Sequence, residues 1–157
     1  MKLSNISLGE EVNIDPSTSI NNVAIGDHVK IAKFCSIFGS KEKPLKIGRN
    51  SYVGMFSILN GYADQLSIGT HVSIAQNVNI MTDSGPNASD EMQKFFPLIK
   101  GPVEIGDHSW IGANSIIMPN VTLGKFCVVA ANSFVNKSFP DFSVIGGNPA
   151  KLIKTMK

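Results

Sequence analysis

Aliphatic side chains recur in this sequence with a period of six residues, and they do so in triplets along nearly the whole chain. All 18 positions of six such triplets are Ile, Leu or Val, although these three residue types make up only 38 of the 157 residues. A period of six does not match the 3.6-residue turn of an α-helix. It is a multiple of two, so on extended chain all of these anchor residues face the same side. The triplets are Leu8, Ile14, Ile20; Ile25, Ile31, Ile37; Ile47, Val53, Leu59; Ile68, Ile74, Ile80; Ile105, Ile111, Ile117; and Leu123, Val129, Val135.

Two other residue types follow the same period. The residue after the first anchor of each triplet is always glycine, at positions 9, 26, 48, 69, 106 and 124. The residue four positions after an anchor is usually small, as at Cys35, Ser51 and Ser109. Together these features predict coils of three short strands, which stack in parallel about 4.8 Å apart and bury their anchors collectively.

The pattern resembles that of the hexapeptide-repeat acyltransferases. The resemblance rests above all on "IGDHSWIGANSIIMPNVTLG" at residues 105–124 and on "SVIGGNPAKLIK" at residues 143–154. It implies an all-β fold, a left-handed parallel β-helix of about six 18-residue coils, in a single domain over residues 1–157 with a C-terminal cap near residues 140–157. The left hand comes from the resemblance, since parallel crossovers are usually right-handed.

The regular spacing is broken most strongly after Ile80. The steps from one triplet start to the next are 17, 22, 21, 37 and 18 residues, so the fourth step carries 19 residues beyond the 18 of a regular coil. We therefore predict an extruded loop at about residues 81–104, with smaller excess loops near 39–46 and 60–67. Long loops in compact repeats are usually functional. The apolar stretch "MQKFFPLI" is expected to pack on a flat face or on a neighbouring subunit.

The resemblance also implies a homotrimer in which acetyl-CoA and the acceptor meet between two subunits. In that family a catalytic His follows the strand before the loop, in runs like "T-x-x-H-P". In "TDSGP", residues 82–86, the His position is Gly85. A sugar hydroxyl normally needs a general base, which is worth roughly 10²–10⁴-fold, whereas an amine needs less help. The glycine therefore indicates an amino acceptor, a substitute base, or a protein that no longer catalyses.

Candidate catalytic residues lie beside the missing His. Asp83 could accept a proton or orient the acceptor, or it could be a turn residue that bonds its own backbone. Ser84 and Asn87 could donate hydrogen bonds to the acceptor or the thioester oxygen, or serve the turn. His28, His71 and His108 each follow a first anchor by three residues, which predicts one column and, most simply, an outward ladder. His108 is kept as a candidate base.

The cofactor site follows from the resemblance. Trp110, the only Trp, is expected to line the cleft near the pantetheine arm or the acceptor. Backbone groups of the coil ladder would hold the pantetheine, and lysines near the last coil would meet the adenosine phosphates as point charges. The implied cofactor-binding residues are Trp110, Ala113, Ala130, Ala131, Lys137, Pro149, Lys151 and Lys154.

Bulk properties exclude several classes of function. A formal net charge of +2 does not indicate nucleic-acid binding. No apolar run reaches the ~18 residues of a membrane span, and the start lacks the apolar core of a secretory signal. Cys35 and Cys127 have no metal-ligand spacing, so no metal is expected, and two free thiols suit a reducing cytoplasm.

The predicted function is acetyl transfer from acetyl-CoA to a hydroxyl or amino group of a sugar or nucleotide sugar, as in the synthesis of surface polysaccharides. One alternative is a non-catalytic trimeric scaffold. A second is a carbonic-anhydrase-like member of the fold, although the His column lacks the spacing of that family's zinc ligands. A third is serine acetyltransferase, whose long helical leader is not seen before the first coil.

Overall fold

The chain folds into a three-sided parallel β-helix, which we describe from a computed structural model for residues 3–157. The first three coils consist of β1 (Ile6–Leu8), β2 (Asn13–Ile14) and β3 (Ser19–Asn21); β4 (Val23–Ile25), β5 (Lys30–Ile31) and β6 (Ser36–Gly39); and β7 (Leu45–Ile47), β8 (Tyr52–Val53) and β9 (Ile58–Gly61).

The fourth coil is followed by the inserted loop. It consists of β10 (Leu66–Ile68), β11 (Ser73–Ile74) and β12 (Asn79–Met81), and the loop contains β13 (Asp83–Ser84), α1 (Asp90–Gln93) and β14 (Ile99–Lys100). Two further coils and a partial seventh follow: β15 (Val103–Ile105), β16 (Trp110–Ile111) and β17 (Ile116–Ile117); β18 (Thr122–Leu123), β19 (Val128–Val129) and β20 (Phe134–Val135); then β21 (Ser143–Gly147) and β22 (Ala150–Thr155).

The strands form three flat faces. Face A is β1-β4-β7-β10-β15-β18, face B is β2-β5-β8-β11-β16-β19-β21-β22, and face C is β3-β6-β9-β12-β17-β20. Within these three faces pairing is parallel except between β21 and β22, so the C-terminal segment adds one antiparallel strand at the end of face B. The solenoid is of the left-handed β-helix type with about six turns, which confirms the predicted fold class.

The predicted anchors form three continuous ladders. On face A, Leu8 pairs with Ile25, and the ladder continues through Ile47 and Ile68 to Leu123. The anchors of faces B and C are in register in the same way, up to Val129 and Val135. Anchors from the second coil onward are buried, whereas Leu8 in the first coil is 49% exposed because no coil covers it.

The glycine after each first anchor is explained by a close approach of the next coil. A Cβ added at Gly48 would lie 2.5 Å from the carbonyl oxygen of Gly69, and one at Gly106 would lie 2.4 Å from the carbonyl carbon of Gly124. Both contacts are with backbone, which cannot move without breaking the parallel pairing. Only glycine fits there.

The small residues four positions after an anchor fill the inside of the corners. The Ser51 hydroxyl donates to the Gly69 carbonyl and accepts from the Val72 N–H, so it links two coils. Cys35 and Cys127 occupy equivalent positions, and both are buried free thiols. Burial raises the pKa of both thiols, which keeps them protonated and unreactive.

The three histidines lie in one corner column, as predicted. His28, His71 and His108 all have a φ between 55° and 61°, the left-handed conformation that the corner requires. The rings of His71 and His108 stack 4.9 Å apart, and Phe126 stacks on His108 at 4.7 Å. The column is therefore the outward ladder that the simplest interpretation predicted.

The described residues contain one helix, the four-residue α1, and none of the length and hydropathy needed to cross a membrane.

Two matched leucines test whether burial between coils stabilises the solenoid. Leu123→Ala, at a fully buried position, should lower the free energy of unfolding by about 2–5 kcal/mol. Leu8→Ala removes the same atoms from an exposed position of the same ladder and should cost less than about 1.5 kcal/mol. Chemical denaturation with a spectroscopic readout would measure both, and equal losses would contradict the model of collective burial.

Candidate active site

All three irregular stretches of the chain leave the solenoid at one corner. Residues 40–44 lie between β6 and β7, residues 62–65 between β9 and β10, and residues 82–102 between β12 and β15. Each of them therefore connects face C to face A, and successive coils place them one above another. We call this the loop corner.

The long insertion is held in place by its own hydrogen bonds. Its two ends pair as the antiparallel ribbon β13–β14, and the Gly101 N–H donates to the Thr82 carbonyl. Ser89 caps α1 by accepting a hydrogen bond from the Met92 N–H, as a serine at this position is expected to do. Asn120 of the regular solenoid donates to the Lys100 carbonyl at the base of the ribbon.

Thr82 ties the insertion to the preceding loop. Its side chain is fully buried, and its hydroxyl accepts from the N–H groups of Ala63 and Asp64 while it donates to the Asn60 carbonyl. The backbone at the mouth of the insertion is thereby fixed against the coil that precedes it. The backbone of the next residue, Asp83, is therefore held in a fixed position.

Three of the predicted catalytic residues share one cleft. Asp83, Ser84 and Asn87 line a cavity of about 330 Å³, together with Asn60, Gly85 and Leu98. The Asn60 side-chain amide donates to Asp83 Oδ1 at 3.2 Å, which orients the half-buried carboxylate. The cleft thus brings together one carboxylate, one hydroxyl and two amides, groups that can accept a proton from an acceptor and donate hydrogen bonds to an oxygen.

Gly85, where the sequence resemblance predicts a histidine, has a backbone conformation that a side chain would strain. Its φ is +153°, which L-residues rarely adopt. A Cβ added there would lie 2.6 Å from Leu98 Cδ2 and 3.0 Å from Leu98 Cα, so it would collide with the residue that precedes β14. A side chain at this position would therefore require a shift of Leu98 or of the backbone.

The fourth candidate, His108, does not lie in this cleft. It is exposed at the corner between faces A and B, stacked between His71 and Phe126, and its backbone N–H donates to the Thr70 carbonyl. The cleft lies at the loop corner, between faces C and A. Within one chain His108 is thus separated from Asp83, Ser84 and Asn87.

Trp110 lies on a third surface of the solenoid. It points outward from face B between Ser73 and Val128, with 56% of its surface exposed. One chain therefore does not bring Trp110 together with Asp83. Any site that uses both residues needs a second copy of the chain.

The other predicted cofactor residues lie on coils five to seven. The Ala130 N–H donates to the Ile145 carbonyl and is already bonded within the stack, and the Ala113 carbonyl accepts from the Asn132 N–H. Lys137 lies over the ring of Phe139 at 5.5 Å from its centroid. The remaining residues are exposed or near the C-terminal edge: Ala131, Pro149 (preceded by a cis peptide bond), Lys151 and Lys154.

The apolar part of the insertion projects from the chain. Phe95 and Phe96 are 77% and 68% exposed, and Met92 and Ile99 are about half exposed. Of the two expectations for this stretch, packing on a flat face of the same chain is wrong, because these side chains find no cover there. Packing on a neighbouring subunit stays a prediction.

Sequence reasoning missed Asn60, Tyr62 and Lys100, which surround Asp83. Asn60 follows the anchor Leu59 directly, and Lys100 is the Cα partner of Asp83 in the ribbon. Asn60 could have been found from the sequence, because it comes just before a predicted excess loop. Across residues 3–157 no group of three or more His, Cys, Asp and Glu side chains is arranged to hold a metal ion.

Comparison with known proteins agrees with the fold. Residues 102–137 match the family model described as bacterial transferase hexapeptide (six repeats). The galactoside O-acetyltransferase of Escherichia coli is 33% identical over 119 residues, which are 75% of this chain and 57% of that protein. The chain belongs to the hexapeptide-repeat transferase family.

Two similar proteins cover almost the whole of this hexapeptide-repeat chain. The dTDP-4-amino-4,6-dideoxy-D-glucose acyltransferase of Escherichia coli is 29% identical over 156 residues, 94% of this chain and 80% of that protein. AntD, an N-acyltransferase from Bacillus cereus solved with dTDP and 3-hydroxybutyryl-CoA, superposes with a TM-score of 0.82 at 28% identity, covering 96% of this chain and 83% of that one.

Other members of the family are longer. The hexapeptide-repeat chain spans 57% of the galactoside O-acetyltransferase and 49% of a probable acetyltransferase of Mycobacterium tuberculosis.

Two glycine substitutions separate backbone strain from the collision at Gly85. Gly85→Ala should lower stability by about 1–3 kcal/mol, since it adds a strained φ and a clash with Leu98. Gly147→Ala has a comparable positive φ, +103°, but its Cβ would be 3.4 Å from the nearest atom, so it should cost less. Thermal unfolding of both variants provides the comparison, and an innocuous Gly85→Ala would show that this position accepts a side chain.

Proposed function

We propose that this protein transfers an acetyl group from acetyl-CoA to a sugar or nucleotide sugar, preferentially to an amino group, as a step towards surface polysaccharide. The observation that carries the proposal is the cleft around Asp83. It places a carboxylate, a hydroxyl and two amides at the mouth of the insertion, and Gly85, whose backbone disfavours a side chain, stands where the sequence resemblance predicts a histidine.

An amino acceptor suits this cleft. The amine lone pair attacks the thioester carbonyl carbon, the carbon–sulfur bond breaks, and the nitrogen loses the proton that the departing CoA thiolate ultimately gains. Asp83 Oδ1 is oriented by Asn60, so the carboxylate is positioned to accept a hydrogen bond or proton from the attacking nitrogen. The Ser84 hydroxyl and the Asn87 amide are donors for the acceptor or for the thioester oxygen. A hydroxyl acceptor would need the stronger base that the cleft lacks.

The proposed active site lies between two subunits of a homotrimer. Asp83 is at the loop corner and Trp110 is exposed on face B. A site that contains both residues must therefore take Asp83 from one copy of the chain and Trp110 from another. The exposed Phe95 and Phe96 of the insertion supply apolar surface for that contact. In closed symmetric assemblies every copy would contribute the same two surfaces.

The proposed acetyl-CoA site runs along coils five to seven. Trp110 and Ala113 lie at its start, and Lys151 and Lys154 lie on the exposed last strand, where phosphates could reach them from solvent. Lysine suits this role as a flexible point charge. The named relatives are transferases, so the alternative of a non-catalytic scaffold is not supported.

Thiol release from acetyl-CoA tests the reaction. Purified protein would be offered matched pairs of sugars and nucleotide sugars that differ only in an amino or hydroxyl group at one carbon. We expect kcat/KM to be at least about 100-fold higher for the amino member of a pair, because only the hydroxyl needs a strong general base. Equal rates for both members would contradict the preference, and failure to bind acetyl-CoA would refute the transferase proposal.

A charge-matched pair of variants tests Asp83. Asp83→Asn should lower kcat by about 10²-fold or more with the amino acceptor, since it removes the proton acceptor but keeps the shape. Asp90→Asn makes the same change on the exposed first turn of α1 and should stay within about twofold of the wild type. Comparable losses in both variants would show that Asp83 acts only through the fold of the insertion.

Mixed assemblies test whether the site is shared between subunits. Asp83→Asn and Trp110→Ala should each be strongly impaired alone. If one site takes Asp83 from one copy and Trp110 from the next, a 1:1 co-refolded mixture should regain about a quarter of wild-type activity, because that fraction of interfaces has both native residues. An activity no higher than the mean of the two separate variants would show that Asp83 and Trp110 do not meet in one site between subunits.

A further inference from the structure

A second and larger groove lies next to the catalytic cleft at the loop corner. It has a volume of about 610 Å³ and is lined by residues from all three irregular stretches, among them Lys41, Tyr62, Asp83 and Lys100. None of these stretches is needed to complete a coil. The groove therefore exists only because the three excess loops stack at one corner.

The first two loops, residues 40–44 and 62–65, are tied directly to each other. The Lys43 ammonium forms a salt bridge with Asp64, and the Gln65 side-chain amide donates to the Pro44 carbonyl at 2.8 Å. The hydrogen bond from Lys43 lowers the pKa of Asp64, which keeps that carboxylate charged and the tie intact. The groove is thus preformed, which spares a ligand the cost of ordering two loops.

Tyr62 is an exposed aromatic ring on a fixed backbone. Its N–H donates to the Asn60 side-chain oxygen at 3.0 Å, and the N–H groups of the next two residues donate to Thr82. Yet 67% of the residue is exposed. A rigid loop that presents a bare ring at the rim of a groove is suited to stack a planar group, as aromatic side chains do with nucleic-acid bases.

Two lysines face the groove without an acidic partner. Lys41 and Lys100 take part in no ion pair within residues 3–157, whereas Lys43 is engaged by Asp64. Glu42 also lines the rim and partly offsets their charge. Lys100 lies opposite Asp83 in the ribbon, so the two side chains share one side of it.

Asp83 lines both cavities. It is in the wall of the 610 Å³ groove and in the wall of the 330 Å³ cleft, where Ser84 and Asn87 lie. The Asn60 side chain connects the two, because it accepts from the Tyr62 N–H and donates to Asp83. A ligand that fills the groove would therefore extend its far end to the catalytic carboxylate.

We propose that this groove binds the nucleoside diphosphate part of the acceptor, with the base on Tyr62 and the diphosphate between Lys41 and Lys100, so that the sugar reaches Asp83. This inference rests on the proposed function and assigns its acceptor to the nucleotide sugars. Free sugars would lack both contacts.

Direct binding of dTDP by calorimetry tests the groove without any chemical step. We expect Tyr62→Ala and the double variant Lys41→Gln/Lys100→Gln each to weaken dTDP binding by about tenfold or more, while Tyr62→Phe keeps the ring and stays close to wild type. Binding of dTDP should also weaken as salt is raised, and thymidine should bind much more weakly than dTDP.

Two further variants serve as controls, one expected to leave dTDP binding unchanged and one expected to tighten it. Arg49→Gln removes one positive charge from coil three at a different corner and should leave dTDP binding unchanged. Glu42→Gln removes a negative charge from the groove rim and should tighten dTDP binding by about twofold. The same loss from Arg49→Gln as from the lysine variants would indicate a general charge effect and overturn the assignment.

Acetyl-CoA binding and thiol release are measured on every protein in parallel. If acetyl-CoA binds normally and the variants of Tyr62, Lys41 and Lys100 bind dTDP as tightly as the wild type, the groove assignment alone is overturned. Efficient acetylation of free amino sugars with no measurable affinity for dTDP would also overturn it. Loss of acetyl-CoA binding in the wild-type protein would instead refute the transferase proposal itself.

Discussion

The whole molecule depends on the parallel pairing of each coil with the next. A single coil of three short strands has no interior of its own, so its anchors are buried only when another coil covers them. Leu8 and Leu123 occupy the same ladder, but Leu8 is 49% exposed and Leu123 is fully buried. Leu123 pairs with the fifth coil on one side and is covered on the other by the bridge to Phe139, whereas Leu8 has only the second coil beside it. Stability and fold are therefore collective properties of the stack.

The same pairing restricts where the chain can vary. Strands are fixed in register by backbone hydrogen bonds, and a Cβ beside an anchor at Gly48 would meet the next coil's backbone at 2.5 Å. Extra residues can be accommodated only at corners, and here all three excess stretches leave at the corner between faces C and A. Groups distant in sequence, such as Asn60 and Asp83, are stacked into contact there.

The backbone conformation at Gly85 restricts which side chains can take part in the reaction at the cleft. Its φ of +153° and the nearby Leu98 disfavour a β-carbon at the position where the sequence resemblance predicts a histidine. A cleft with a single carboxylate, one hydroxyl and amide donors is better matched to an amine, which in its unprotonated form attacks a thioester without a strong general base. The neighbouring groove presents the Tyr62 ring and two lysines that form no ion pair within residues 3–157, which suits the nucleotide end of such a molecule.

The sequence by itself determined the β-helix, since period-six anchors and the recurring glycine are local consequences of coil geometry that hold at every turn. It also located the insertion and grouped Asp83, Ser84 and Asn87, which are near one another along the chain. Only the tertiary structure brought Asn60, Tyr62 and Lys100 to Asp83, put His108 in an aromatic ladder, and set Trp110 on a different face. The physical reason is that corner stacking joins residues about one coil apart, and the excess loops change that separation from coil to coil, so spacing along the chain does not reveal which side chains meet.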